Sequence, residues 1–328
     1  MKSIHQLRYS LEHDIAPEKI DMKSDDYLLE YVVDTGEVKP NERNHRGRVC
    51  IFPPILVREL ERFMPVSGTV CLRQCIAGGK NIPWGLIVGG VDDRYQFLCS
   101  LIYIKNAMGG FNVVEKAIAL KKLFQCREIP EGWILELLGV PVSDGIIRNF
   151  LTLSEAPGII KELVFKGLIH ENTAFVIFRF PREDWHGLAK FISGLALGTK
   201  KRNTLLTMLF EISERDGRGV MDILNDKVIT KILKEGRADS VHRAERLFTF
   251  VEKLRYPVMY NYRERFREKL REVGLSKDFH IVLPDNFEKW EFRLMFTFSS
   301  LEDFRKKIEK LSRTAAKKSF SELLSMRY

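Results

Sequence analysis

The sequence predicts an α+β protein in three parts: a small α/β N-terminal domain, a central helical domain with a helix-turn-helix, and a helical C-terminal region with a β-hairpin and a closing helix. Three observations predict it. Over the first hundred residues, short apolar runs alternate with turns; from Asp92 the apolar period becomes helical; after Gly217-Arg218-Gly219 the chain turns basic and ends in two alternating runs and one more helical stretch. The expected boundaries are 1–110, 111–216 and 217–328.

In the first part, Ile51 to Val57, Trp84 to Val88 and the Ile15 to Tyr31 region read as strands, and Val70 to Ala77 as a short helix ended by Gly78-Gly79. Thr35 to Arg48 is polar and carries Pro and Gly, so a loop or frayed helix is expected there. Helical periodicity then marks Tyr95 to Lys105, Val113 to Gln125, Glu131 to Leu138, Ser143 to Leu153, Ile159 to Lys166, Trp185 to Leu197 and Asn203 to Arg215. Val220 to Lys234 and Val241 to Leu254 read as amphipathic helices, the second ended by Tyr256-Pro257. Tyr260 to Val273 is another, with Arg263, Arg267 and Arg271 four residues apart on one face. Phe279 to Leu283 and Glu291 to Phe298 alternate as strands around Pro284-Asp285-Asn286, and Leu301 to Ala315 closes the chain as a helix.

Within the helical body, Leu135, Leu138, Ile146 and Phe150 have the spacing of two short helices packed across a tight turn at Gly139-Val140-Pro141. Gly139 suits the left-handed residue that ends the first helix; Ser143 is a good N-cap for the second, with Asp144 in its first turn. Such a pair binds DNA in many proteins and is plain scaffold in others. On the second helix Ser143, Asp144, Arg148 and Asn149 form the polar face; Arg can grip guanine and Asn adenine in the major groove. Arg148 and Asn149 lie past the middle of the expected helix, whereas base contacts usually come from its N-terminal half, and Asp144 would face phosphate unfavourably.

Composition bounds the partners. Residues 1–199 balance 24 basic against 24 acidic side chains, while residues 200–328 hold 29 against 20 and so carry the whole +9 excess. A basic C-terminal part, with Lys200, Lys201 and Arg202 at its start and Lys306, Lys307, Lys310, Arg313, Lys317 and Lys318 on its last helix, suits contact with a phosphate backbone; a solvated lysine-rich surface is the alternative. No apolar run reaches the roughly 18 residues that span a bilayer, and Met1-Lys2-Ser3-Ile4-His5 begins no signal peptide. Cys50, Cys71, Cys75, Cys99 and Cys126 are unpatterned and read as ordinary thiols in a reducing cytoplasm.

The flanks of the helix-turn-helix resemble the ParB family of partition and DNA-clamp proteins. The residues that carry the resemblance are Leu101-Ile102 with Lys105-Asn106, then Asn112 and Glu115 to Ala117, and after the turn Ala156-Pro157 and Gly167-Leu168-Ile169. Upstream, Ala16 to Asp21 looks like the family's opening strand, Pro54-Ile55-Leu56-Val57 like its Pro-Ile-x-Val strand, and Gly68 to Ala77 like its Gly-x-Arg-Arg-x-x-Ala-Ala helix. The likeness covers Ile15 to about Leu197 and is closer to divergent members with a long C-terminal extension.

Family members bind CTP with Mg²⁺ in the N-terminal domain, and the resemblance implies such a site only where motif residues match. Gly68 stands for the motif glycine, but Val70 and Cys71 replace the two arginines, with Arg73 as a partial substitute. Lys105 replaces the acid of the Mg²⁺-associated pair, leaving Asn106, and a cation there repels the metal. A degenerate site at Gly68, Arg73 and Asn106, no CTP hydrolysis, and no cofactor beyond weak CTP binding are therefore expected. The ParB N-terminal fold is shared with sulfiredoxin, but Cys71 and Cys75 lack the accompanying His and phosphate grip of that enzyme, and zinc lacks a second ligand pair. The expectation is a non-enzymatic, nucleoid-associated DNA-binding homodimer, in partition or transcription, contacting duplex DNA through Ser143, Arg148, Asn149, Lys200, Lys201 and Arg202 and no membrane. The competing classes are a protein-interaction module on the same scaffold and a nucleotide-dependent enzyme.

Overall fold

Four strands, β1 (Arg8–Ile15), β2 (Ile55–Glu59), β3 (Arg62–Ser67) and β4 (Ile82–Gly89), form one sheet in the order β1-β4-β2-β3. The computed structural model describes residues 8–31, 53–89, 93–126, 131–234, 239–275, 278–282 and 292–325. The loop expected over Thr35 to Arg48 and the turn at Pro284-Asp285-Asn286 lie outside them. β4 runs antiparallel to β1 and parallel to β2, and β2 and β3 make an antiparallel hairpin. Side chains alternate across the sheet, so Ile55 and Val57 enter one apolar core while Leu56 enters another with Leu72 of helix α1 (Thr69–Ala77).

The expected strands are found at β2 and β4, but the N-terminal one is displaced. It begins at Arg8, and the segment likened to an opening strand is instead a 3-10 turn at Pro17–Lys19, after which Ile20 makes an isolated bridge to Phe63. β3 was not anticipated because Pro65 interrupts its apolar run; the strand tolerates proline because it lies at the sheet edge.

The helical body comprises α2 (Arg94–Met108), α3 (Val113–Cys126), α4 (Gly132–Leu137), α5 (Asp144–Glu155), α6 (Gly158–Phe165), α7 (Glu171–Ile177), α8 (Trp185–Ser193) and α9 (Thr199–Asp216). α10 (Val220–Leu224), α11 (Lys227–Lys234) and α12 (Ser240–Arg255) continue it. α7 had no counterpart in the sequence reading. The helix expected over Val220 to Lys234 is broken at Asn225-Asp226, where the Asp226 carboxylate accepts the Val228 N–H at 2.8 Å and restarts the chain as α11. Pro257 opens α13 (Pro257–Val273) as well as ending α12, its fixed φ suiting a first helical position. β5 (Phe279–Val282) and β6 (Arg293–Phe296) pair antiparallel, and α14 (Leu301–Ala315) follows as expected. It does not close the chain: α15 (Lys318–Ser325) packs back on α13.

One core runs from Ile55 and Val88 of the sheet through Leu101, Leu120, Phe150, Leu188 and Leu209 to Leu247 and Val251 of α12. It crosses both 110/111 and 216/217 without interruption. A separate small cluster, Phe266, Val273 and Leu323, holds the last part together, so packing breaks after α12. No helix among the described residues is long and apolar enough to cross a membrane. Cys71 is disulfide-bonded, which corrects the reading of five ordinary thiols; Cys75, Cys99 and Cys126 are free.

Candidate nucleic-acid interface

The turn between α4 and α5 is built by one glycine. Gly139 has φ +61°, its N–H bonds to the Glu136 carbonyl at 2.8 Å and the Val140 N–H to the Leu135 carbonyl at 2.9 Å, so α4 ends in a Schellman motif. Leu135, Leu138 and Val140 are buried beneath it. Across the turn, α5 buries Phe150 and Leu153 and half-buries Ile146 and Ile147, and its main packing partner is α3. Ser143 occupies the N-cap position but its side chain makes no cap hydrogen bond, contrary to expectation.

Arg148 and Asn149 are the fifth and sixth of the twelve residues of α5, which runs on to Glu155. They therefore lie in its N-terminal half, not past its middle. Ser143, Asp144, Gly145 and Arg148 are exposed, while Asn149 is half-buried. Arg148 has no hydrogen-bond or ion-pair partner for its guanidinium among the described residues. It also lines a groove of about 550 Å³ with Lys121 and Phe124 of α3 and with Arg182 and Trp185.

The three cations placed at residues 200–202 divide. Lys200 is exposed. Lys201 is held by both carboxylate oxygens of Glu245, at 2.5 and 2.7 Å. Arg202 turns inward, donating to the Leu168 carbonyl at 2.6 Å and the Leu195 carbonyl at 2.8 Å, and burial pushes its guanidinium pKa down. It closes the ends of α6 and α8.

Farther on, the basic residues of the last helices are mostly matched. Lys306 pairs with Glu302 at 2.8 Å, Lys307 with Asp303 at 3.0 Å, Lys310 with Asp278 at 3.6 Å, Arg313 with Glu309 at 2.6 Å and Lys318 with Glu322 at 3.8 Å. Lys317 donates to the Val273 carbonyl. The Arg263, Arg267 and Arg271 face is interrupted likewise, by Glu252 and Glu264. The unmatched stripe lies elsewhere: Lys227, Lys231 and Lys234 are all exposed on α11 and form no ion pair among the described residues. Their spacing of four and three residues was readable in the sequence as one helix face.

The region likened to a nucleotide site is filled from within. Gly68 caps α1 at φ +84°, and a Cβ there would sit 2.7 Å from the Pro54 Cα. The helix N-terminus beside it is taken by Glu30, whose Oε2 accepts the Thr69 N–H at 2.7 Å and the Thr69 hydroxyl at 2.8 Å. A carboxylate thus stands where a helix dipole would otherwise favour phosphate. Arg73 and Val70 are exposed on the same helix, and Asn106 is half-buried on α2. Lys105 is buried and donates to Glu115 Oε2 at 2.9 Å and to the Gly110 carbonyl at 3.2 Å, with its ammonium 4.4 Å from the Phe111 ring centre. Glu115 and Asn112 form a capping box: Asn112 Oδ1 accepts the Glu115 N–H, and the Glu115 carboxylate accepts the Asn112 N–H. Sequence reasoning passed over Glu30, because 39 residues separate it from Thr69, and over Lys121 and Arg182, which only folding brings to one groove. No family model matches this chain, and no curated protein matches it either.

Proposed function

We propose that this chain is a ParB-like, non-enzymatic DNA-binding protein that grips duplex DNA through α4, the Gly139 turn and α5, and acts as a homodimer on the nucleoid in plasmid or chromosome partition or in transcription. The observation that carries the reading is Arg148: a guanidinium unpaired among the described residues, in the N-terminal half of a helix whose opposite side is buried by Phe150 and Leu153. A planar fork of donors so presented suits a guanine edge or a phosphate. Lys227, Lys231 and Lys234 supply further unmatched charge for the backbone. Glu30 at the start of α1 and the Lys105–Glu115 pair support a scaffold that no longer takes CTP. For the second copy, Leu301, Phe304, Ile308 and Leu311 of α14 repeat at three and four residues, and Leu301 and Ile308 remain 66% and 40% exposed.

The test is a gel-shift series over increasing salt with genomic fragments. A loss of affinity with a log–log slope of about −0.9 per phosphate contact is expected. The second reading, a protein-interaction module, is favoured by Trp133 and Val142, 40% and 74% exposed on either side of the turn. Absence of any shift on every fragment would establish it over the first.

A further inference from the structure

We propose that the groove between α3, α5 and the turn before α8 binds a small phosphate ester carrying a flat ring, and that its occupant competes with DNA for Arg148. The competition rests on the reading of α5 given above; the binding does not. The groove measures about 550 Å³, a size common for small-molecule sites. Lys121, Arg148 and Arg182 reach it from three separate elements, opposed there by the Glu155 carboxylate. Three cations against one acid leave a place for a dianion.

The cations differ in readiness. Lys121 Nζ lies 3.3 Å from Glu155 Oε1, but both side chains are about half exposed, and such a pair yields readily to a stronger anion. Arg182 is oriented: its Nη2 donates to the Glu155 carbonyl at 3.1 Å and its guanidinium stands 5.6 Å from the Trp185 ring centre. The remaining donors of that fork suit two phosphate oxygens. Arg148 has no hydrogen-bond or ion-pair partner for its guanidinium among the described residues.

Phe124, Leu151 and Trp185 form the apolar part of the lining. Trp185 is only 7% exposed and its Nε1–H is already given to the Phe180 carbonyl at 2.8 Å, so the indole offers no hydrogen bond and a ring occupant would rest mainly on the half-buried Phe124 and Leu151. This lining distinguishes a free ester from a DNA backbone phosphate, which carries one charge and has no unstacked ring to place there. It also implies little discrimination among nucleobases.

Calorimetric titration of the full chain with AMP, CMP and inorganic phosphate tests the site, with Arg182→Ala and Lys121→Ala as variants and thermal melting to check that each folds. Saturable binding of both nucleotides without added metal is expected, tighter than phosphate, and weakened at least about tenfold in each variant. Added AMP should also release DNA from the wild type but not from Arg182→Ala. The site is overturned if no probe saturates, or if both variants bind as the wild type does. A variant that loses DNA affinity with no nucleotide present, while nucleotides fail to bind, assigns the cations to the DNA backbone instead. Saturating AMP that leaves the wild-type gel shift unchanged overturns the competition.

Discussion

Lys105 Nζ lies 2.9 Å from Glu115 Oε2, and each side chain is only 9% exposed. The two residues come from the end of α2 and the start of α3, and Glu115 also accepts the Tyr31 N–H at 3.3 Å, so one carboxylate ties three segments together. Lys105, which stands where the resemblance would put a metal-associated acid, is instead half of a buried ion pair. Removing one partner would strand the other: Lys105→Met is expected to cost about 3–5 kcal/mol, and adding Glu115→Gln should recover much of it, since glutamine can still accept from Asn112. Urea unfolding of the three proteins measures this. A single-variant loss under about 1 kcal/mol would mean the pair behaves as though it were on the surface.

Gly68 is held by two constraints, a left-handed φ of +84° and the 2.7 Å approach to Pro54. Gly68→Ala should destabilise by about 2–5 kcal/mol, from left-handed strain and overpacking together. Gly79, also at positive φ but with nothing near its missing Cβ, is the control. Gly79→Ala should cost only the strain, about 1–2 kcal/mol. Thermal melts that rank the two alike would remove Pro54 from the account.

The carboxylate of Glu30 at the start of α1 leads to an expectation about CTP. No Mg²⁺-dependent CTP binding and no hydrolysis should be detectable by calorimetry and phosphate release. Any metal-independent nucleotide binding should weaken at least about tenfold with Arg182→Ala and survive Arg73→Ala. A micromolar, Mg²⁺-dependent site that responds to Arg73→Ala would return α1 to the role of a phosphate cradle.

Arg148 is the residue most exposed to test. Arg148→Ala should cost about 1–3 kcal/mol on the preferred DNA site and much less on random sequence. Equal losses on both would make it a phosphate contact. No loss would favour the interaction module.

Because the main core extends through Val251, deleting residues 200–328 would tear α9 and α12 from it. The informative deletion ends the chain at Arg255 and removes 16 basic against 11 acidic residues, leaving the α11 lysines in place. Such a chain should fold, lose dimer mass in sedimentation, and keep a salt-dependent affinity for DNA. A truncated chain that stays dimeric would move the interface away from α14.

How the sequence anticipated these features follows from the range of the forces involved. Helices α2, α3, α5 and α12 were legible because their apolar period acts over a few residues, and the end of α4 because Gly139 does; the Asp93 cap of α2, which accepts the Tyr95 and Gln96 N–H groups, was passed over. The two-strand C-terminal unit was legible for the same reason. β3 was not, since Pro65 blurs its local signal and its place at the edge is decided by pairing with β2. The α5 polar face was visible as a list of residues, but which of them are free was not. The helix-turn-helix face named Arg148 and the charge excess named Arg202; burial and the carbonyls of Leu168 and Leu195 then took Arg202 inward.

By itself the sequence determined the α+β class, the glycine-ended turn and the excess of positive charge in the last 129 residues. Only the tertiary structure decided that Glu30 caps the start of α1, that Lys105 pairs with Glu115, that Lys306, Lys307, Lys310, Arg313 and Lys318 are matched by carboxylates, and that Lys121, Arg148 and Arg182 share a groove. The physical reason is that turns and helix faces depend on neighbours along the chain, whereas the effective charge of a side chain depends on what folding brings within about 4 Å of it and on how much water remains.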